Sequence, residues 1–142
     1  MKKHILLVLA LSTLFFGYAQ SDEELAIKAT LNNYIHGSSY NEIEQLESAF
    51  TEDATLYLVS RDTLKRYSPV EYTNFFKKRV PGEYNGRKGT ILEVAVIKDM
   101  ATAKVEILIE KSNTRYLDIF LLRNIKDSGW KIISKTATIV DD

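Results

Sequence analysis

The spacing of apolar residues changes character near residue 87, from mostly helical before it to that of strands after it. Ser21-Asp22-Glu23-Glu24 has the form of a capping box, in which the Ser21 hydroxyl accepts from the third helical N–H and Glu24 reaches back. A first helix therefore starts there, with Ile27, Leu31, Tyr34 and Ile35 on one face and Gly37 placed for the left-handed turn that ends a helix. Asn41 and Glu44 repeat the capping pattern, and Ile43, Leu46, Ala49 and Phe50 give a short second helix. A strand is expected over residues 54–60, a turn at Arg61-Asp62 and a second strand over residues 63–67. Ser68-Pro69-Val70-Glu71 combines a cap, proline at the first helical position and glutamate at the third. It opens a third helix with Tyr72, Phe75, Phe76 and Val80 as the buried face, stopped by Pro81-Gly82.

Four longer strands follow, over residues 90–98, 101–110, 115–125 and 130–140. Their separators are turn-like, Asp99-Met100, Ser112-Asn113 and Lys126-Asp127-Ser128-Gly129, which predicts an antiparallel meander. Helices that precede a run of strands make an α+β domain in which a sheet curls over a helix, not a βαβ protein.

The N-terminus changes what the mature chain contains. Met1-Lys2-Lys3-His4 is basic, residues 5–16 are mainly apolar, and Gly17 and Ala19 are small, the pattern of a secretory signal peptide cut after Ala19. An uncleaved anchor is the alternative, but a spanning helix needs about 20 apolar residues, and Ser12 and Thr13 interrupt a shorter run. Cleavage leaves residues 20–142 as one domain, periplasmic or secreted, with no expected membrane contact. It also removes Lys2 and Lys3 from 19 basic residues, so 17 face 19 acidic ones and the net charge is −2. That balance argues against a nucleic-acid partner, which calls for a clustered cationic surplus. The one local cluster, Lys77-Lys78-Arg79 with Arg87-Lys88, reads as a solvated helix end and turn. With no cysteine there is no disulfide, thiolate metal site or lipidated Cys anchor.

The strand Tyr116-Leu117-Asp118-Ile119-Phe120-Leu121-Leu122-Arg123 leads into Gly129-Trp130-Lys131-Ile132-Ile133-Ser134-Lys135. Together with Tyr34-Ile35-His36-Gly37 and Phe50-Thr51-Glu52-Asp53-Ala54, this resembles the NTF2-like superfamily, and within it the small bacterial proteins named for putative lumazine binding. The resemblance covers essentially the mature chain. It implies a cone of curved antiparallel sheet wrapped around three N-terminal helices, a pocket inside it, and a homodimer formed through the sheet. The same scaffold hosts isomerases, dehydratases, cyclases, transport adaptors and binders, so it does not choose a reaction. Relatives often carry His where this chain has Thr51 and an acidic residue where it has Asn41, and neither Thr nor Asn exchanges a proton near neutral pH.

Candidate chemistry is sparse. His36 is the single histidine after cleavage, and its place near a helix end fits a surface role better than a base. No serine elbow or phosphate loop is present, and no metal or cofactor site is expected. A hairpin closed at residues 126–129 brings Phe120 opposite Lys135 and Asp118 diagonally beside it on the same face. That pair either orients a polar ligand, holds the carboxylate ionised as a proton acceptor, or serves as a structural ion pair in the sheet or at a dimer interface. Tyr34, Tyr57, Tyr72, Phe76 and Tyr116 offer aromatic surfaces for a flat ligand or simply core packing, and Trp130 reads as packing. Glu93, Glu106 and Glu110 fall on strands, most of them toward solvent.

The preferred expectation is a binder of a small, heteroaromatic ligand, with Tyr34, Tyr57, Phe76, Asp118 and Lys135 at its pocket and no catalytic residue assigned. The rival is an isomerase or dehydratase in which Asp118 takes a proton, requiring a carboxylate with no cation in contact. A third is a dimeric interaction module whose cone is filled with side chains.

Overall fold

Strand pairing organises the molecule, since six strands form a single curved, unclosed sheet in the order β2-β1-β6-β5-β4-β3. The computed structural model describes residues 21–60 and 62–140. The expected signal segment, residues 1–19, and Arg61 of the first expected turn lie outside the described residues. The chain runs α1 (Asp22–Tyr40), α2 (Ile43–Ser48), β1 (Phe50–Ser60), β2 (Thr63–Tyr67), α3 (Pro69–Thr73), β3 (Arg87–Ile97), β4 (Met100–Ile109), β5 (Thr114–Ile125) and β6 (Gly129–Ile139). Strands β3 to β6 are the expected meander, and β1 extends it by pairing parallel with β6. This is the α+β architecture of a sheet wrapped around helices.

Helix α1 supplies the filling of the cone. Ile27, Leu31 and Tyr34 are fully buried and belong to one core cluster with Val105 and Ile107 of β4, Phe120 and Leu122 of β5 and Ile132 of β6. Alternation along each strand turns these residues inward and leaves charged neighbours such as Lys104 outside.

Two expected helix boundaries are corrected. α1 does not stop at Gly37 but runs on to Tyr40, and Asn41 takes the left-handed position at φ 61°. Gly37 serves a close approach instead: a Cβ there would lie 2.5 Å from the backbone nitrogen of Leu46, so α2 crosses α1 where no side chain intervenes. Asn41 does not cap α2 either. Its side chain donates to the carbonyl oxygens of Val80 and Glu83, both at 2.9 Å, and so ties down the loop before β3.

The capping box of α3 forms as expected, with the Glu71 backbone N–H donating to Ser68 Oγ and Glu71 Oε2 accepting from the Ser68 N–H at 2.8 Å. The helix is short, however, and ends at Thr73. Tyr72 and Phe76 are buried, whereas Phe75 and Val80 are exposed, and the chain beyond Thr73 continues in single-turn bonds such as that from the Phe76 N–H to the Thr73 carbonyl.

Candidate functional site

The meander register sets the floor of the cone. β5 and β6 pair Phe120 with Lys135, which makes Asp118 the diagonal neighbour of Lys135 on the inner face. A register irregularity between Leu121 and Leu122 lets both Ile132 and Lys135 of β6 turn inward, and the parallel pairing with β1 sets Leu56 beside Lys135. Lys135 Nζ lies 3.1 Å from Asp118 Oδ2, and each side chain is 2% exposed.

Three further side chains converge on that pair. Tyr34 descends from α1 and donates its hydroxyl proton to Asp118 Oδ2 at 2.6 Å. Arg87, the first residue of β3, donates from Nη2 to Tyr34 Oη at 2.8 Å and stands 3.8 Å from Asp118 Oδ2. Tyr72 comes from α3, its hydroxyl 3.1 Å from that of Tyr34. A tyrosine has one hydroxyl proton, and that of Tyr34 is committed to Asp118, so Tyr72 is the donor in the tyrosine pair. The rings of Tyr34, Tyr72 and Phe120 surround Lys135 Nζ at 5.7, 5.6 and 6.0 Å from their centroids, within the range of cation–π attraction.

The electrostatics follow from this packing. Burial raises the Tyr34 hydroxyl well above its ordinary value; Arg87 opposes that rise, and Asp118 adds to it. Burial by itself would lower the Arg87 guanidinium, but Tyr34, Tyr72 and Asp118 outweigh it and hold Arg87 firmly cationic. The floor thus contains two cations, one carboxylate and two neutral phenols.

Above it opens a cavity of about 630 Å³, with Tyr72, Arg87, Asp118 and Lys135 at its base. Leu58, Ile109, Tyr116, Ala137 and Ile139 supply walls, and Asp62 and Thr138 also border it. That volume is in the range of small-molecule sites, which pair an apolar lining with a few polar groups.

Of the expected site residues, the structure brings together Tyr34, Asp118 and Lys135, with Tyr34 beneath the cavity rather than on its surface. Two placements are corrected. Tyr57 lies between the inward Leu56 and Leu58 of β1, so strand alternation sends it to the outer face beside Thr136. Phe76 packs against the Tyr72 ring at 5.6 Å and does not line the cavity.

Arg87 is the residue that sequence reasoning missed. Read as part of a solvated basic turn, it is instead 14% exposed, with Nε donating to Ser38 Oγ at 3.1 Å and its backbone N–H to Asn85 Oδ1 at 3.0 Å. Asn85 Nδ2 donates in turn to the Ser38 carbonyl and to Asn41 Oδ1, each at 2.7 Å. The available signal was alternation, because Arg87, Gly89 and Ile91 share one face once the strand is started three residues earlier.

The remaining candidates lie elsewhere. His36 is exposed, stacks on Tyr40 and has Nδ1 2.7 Å from Gln45 Oε1. Glu93 and Glu106 pair on the outer face with Lys104 and Arg115 at 2.7 and 2.8 Å. Thr51 borders a separate recess of about 440 Å³ with Glu52, Asp53 and Lys131. Trp130 is buried and donates from Nε1 to Glu23 Oε2 at 2.5 Å, which joins β6 to the first turn of α1. Among the described residues no group of three or more His, Cys, Asp or Glu is arranged to hold a metal ion, and no helix is long and apolar enough to cross a membrane.

Residues 22–137 match the model of a family described as "Putative lumazine-binding". Among solved structures, an NTF2-like protein of unknown function from Shewanella baltica is similar over 84% of this chain and 95% of its own, at 21% identity and a TM-score of 0.72. One from Methylobacillus flagellatus is similar over 85% and 95%, at 24% identity and a TM-score of 0.71. A ketosteroid isomerase-like protein from Erwinia carotovora atroseptica is similar over 86% and 99%, at 16% identity and a TM-score of 0.63. At these identities the likeness is one of fold. No curated protein matches the chain.

Proposed function

This chain belongs to the NTF2-like superfamily and, within it, to the family described as "Putative lumazine-binding", and from that premise we propose that it binds a small, flat molecule in its cone without turning it over. The observation that carries the reading is the polar floor of Asp118, Lys135, Arg87 and Tyr72 beneath a cavity of about 630 Å³. Tyr72 and Tyr116 offer ring surfaces, and the floor offers fixed polar groups, the combination that orients a heteroaromatic ligand.

The proton-acceptor reading fits less well. Transferring a proton to Asp118 would cancel its charge while Lys135 and Arg87 stay buried and cationic beside it. The filled-cone reading conflicts with the cavity itself.

A thermal-shift screen with pterins, flavins and steroids tests the proposal. A saturable rise in melting temperature that is lost in Lys135→Met, with no chemical change in the ligand, is the expected result; turnover of the bound compound would replace binding with catalysis. The proposal extends to export, tested by sequencing the mature N-terminus, which should begin at Gln20. It also includes a homodimer through the outer face of the sheet, where Leu117, Ile119 and Leu121 align along β5.

A further inference from the structure

We propose that the ligand is an amphipathic monoanion, its acidic head against Arg87 and Lys135 and its apolar body along Leu58, Ile109 and Tyr116. The inference rests on the binding reading above and adds the chemical class of the ligand.

Charge at the floor does not cancel. Arg87 and Lys135 are cationic and Asp118 is the single buried carboxylate between them, so one positive charge is left over at the base of the cavity. Buried charges are found paired, because an uncompensated ion loses its hydration without replacement. The two tyrosine hydroxyls hydrogen-bond within the cluster but bring no negative charge. Asp62 also borders the cavity, yet it is exposed at the rim, where water screens it.

Hydrogen-bond donors are in excess as well. Arg87 uses Nε on Ser38 and Nη2 on the two tyrosine hydroxyls, and no described residue accepts from Nη1. Lys135 has three N–H groups and, among the described residues, one polar partner, Asp118. A carboxylate, or an equally acidic enol or imide, supplies both the missing charge and the missing acceptors. A neutral ligand supplies acceptors alone, and a cation worsens the imbalance. The bonds of Arg87 Nε to Ser38 and Nη2 to Tyr34 fix the guanidinium in place before any ligand arrives, which lowers the cost of ordering it on binding.

The test uses matched pairs that differ only in the head group: 2-naphthoate and 2-naphthamide, indole-3-acetate and indole-3-acetamide, octanoate and octanamide. Each is titrated calorimetrically into the wild-type protein, alongside the pterins, flavins and steroids of the screen. Acids binding at least about tenfold more tightly than their amides is the expected result, as for a desolvated charge pair. The preference should survive in Arg87→Lys and shrink in Arg87→Gln, with circular dichroism checking that both variants fold. Amides that bind as well as acids, or neutral compounds as the only binders, overturn the monoanion and leave the binding reading standing. No binding by any acid, amide, pterin, flavin or steroid overturns both. Acid preference unchanged in a folded Arg87→Gln overturns the assignment of the head group to Arg87.

Discussion

Lys135 meets Asp118 on the diagonal of the β5–β6 hairpin, Nζ to Oδ2 at 3.1 Å, because Phe120 and not Asp118 stands directly opposite it. The offset leaves the second side of Asp118 Oδ2 to Tyr34 and Arg87, which arrive from α1 and β3. One carboxylate oxygen thereby joins a helix to three strands of the sheet.

That arrangement predicts an asymmetry between its two ends. Removing the lysine with Lys135→Met leaves Asp118 still facing Arg87, whereas Asp118→Asn leaves two buried cations facing each other. Breaking a buried pair costs about 3–5 kcal/mol, and Asp118→Asn should lie at the upper end of that range and Lys135→Met at or below the lower end. In urea unfolding the double variant should lose clearly less than the two single losses combined. Equal single losses that simply add would show that the pair is not coupled.

Alkali should weaken the fold through Tyr34. Its folded-state pKa is raised, chiefly by burial, so below the ordinary tyrosine value of about 10 both states keep the proton and the contribution is complete. Above that value the unfolded chain releases the proton first, and stability falls as pH rises toward the folded value, by up to about 1.4 kcal/mol per pH unit. Tyr84 is shifted the same way, by burial and by Glu110, but it is 45% exposed and adds little. Urea midpoints measured from pH 8 to 11 should therefore fall more steeply for the wild type than for Tyr34→Phe. A slope unchanged by that substitution would remove Tyr34 as the cause.

Gly37→Ala sets two effects against each other. Alanine in a helix gains up to about 1 kcal/mol over glycine. The added Cβ would lie 2.5 Å from Leu46 N and 2.7 Å from Leu46 Cα, both backbone atoms that move only if α2 moves. Overpacking of this kind costs about 1–3 kcal/mol or more, so the net change should be a loss, read as a lower melting temperature. A stabilised variant would mean that the contact of α1 with α2 yields at no cost.

Local chemistry explains which features could be read from the sequence. The capping box at Ser68 to Glu71 and the turn at residues 126–129 act within a few residues, but the turn's own register would set Ile119 opposite Lys135, and only the shift between Leu121 and Leu122 brings Lys135 to the face of Asp118. The parallel pairing of Phe50 with Ile132 has no local signature, so β1 begins four residues before its expected start. Gly37 and Arg87 were misread for the same reason. A glycine near a helix end looks like a stop until the crossing helix is known, and an arginine after a turn looks solvated until Ser38 and Tyr34 stand beside it.

The outer face of the sheet supplies the last prediction. Leu117 and Ile119 of β5 pair with Glu106 and Lys104 of β4 on one side and with Thr138 and Thr136 of β6 on the other, and Leu121 is 39% exposed. The charged residues nearest this stripe pair with one another, Lys104 with Glu93 and Glu106 with Arg115, so their charge is balanced at its edge. Apolar residues at the centre with balanced charge around them are the composition of a contact between copies. Sedimentation velocity should accordingly find a dimer, and Ile119→Lys should shift it to monomer by setting like charges against each other across the two-fold axis. Because Ile119 faces away from the cavity, ligand binding should survive in that monomer. A wild-type protein that stays monomeric at every concentration examined would remove the dimer from this account while leaving the polar floor of the cone untouched.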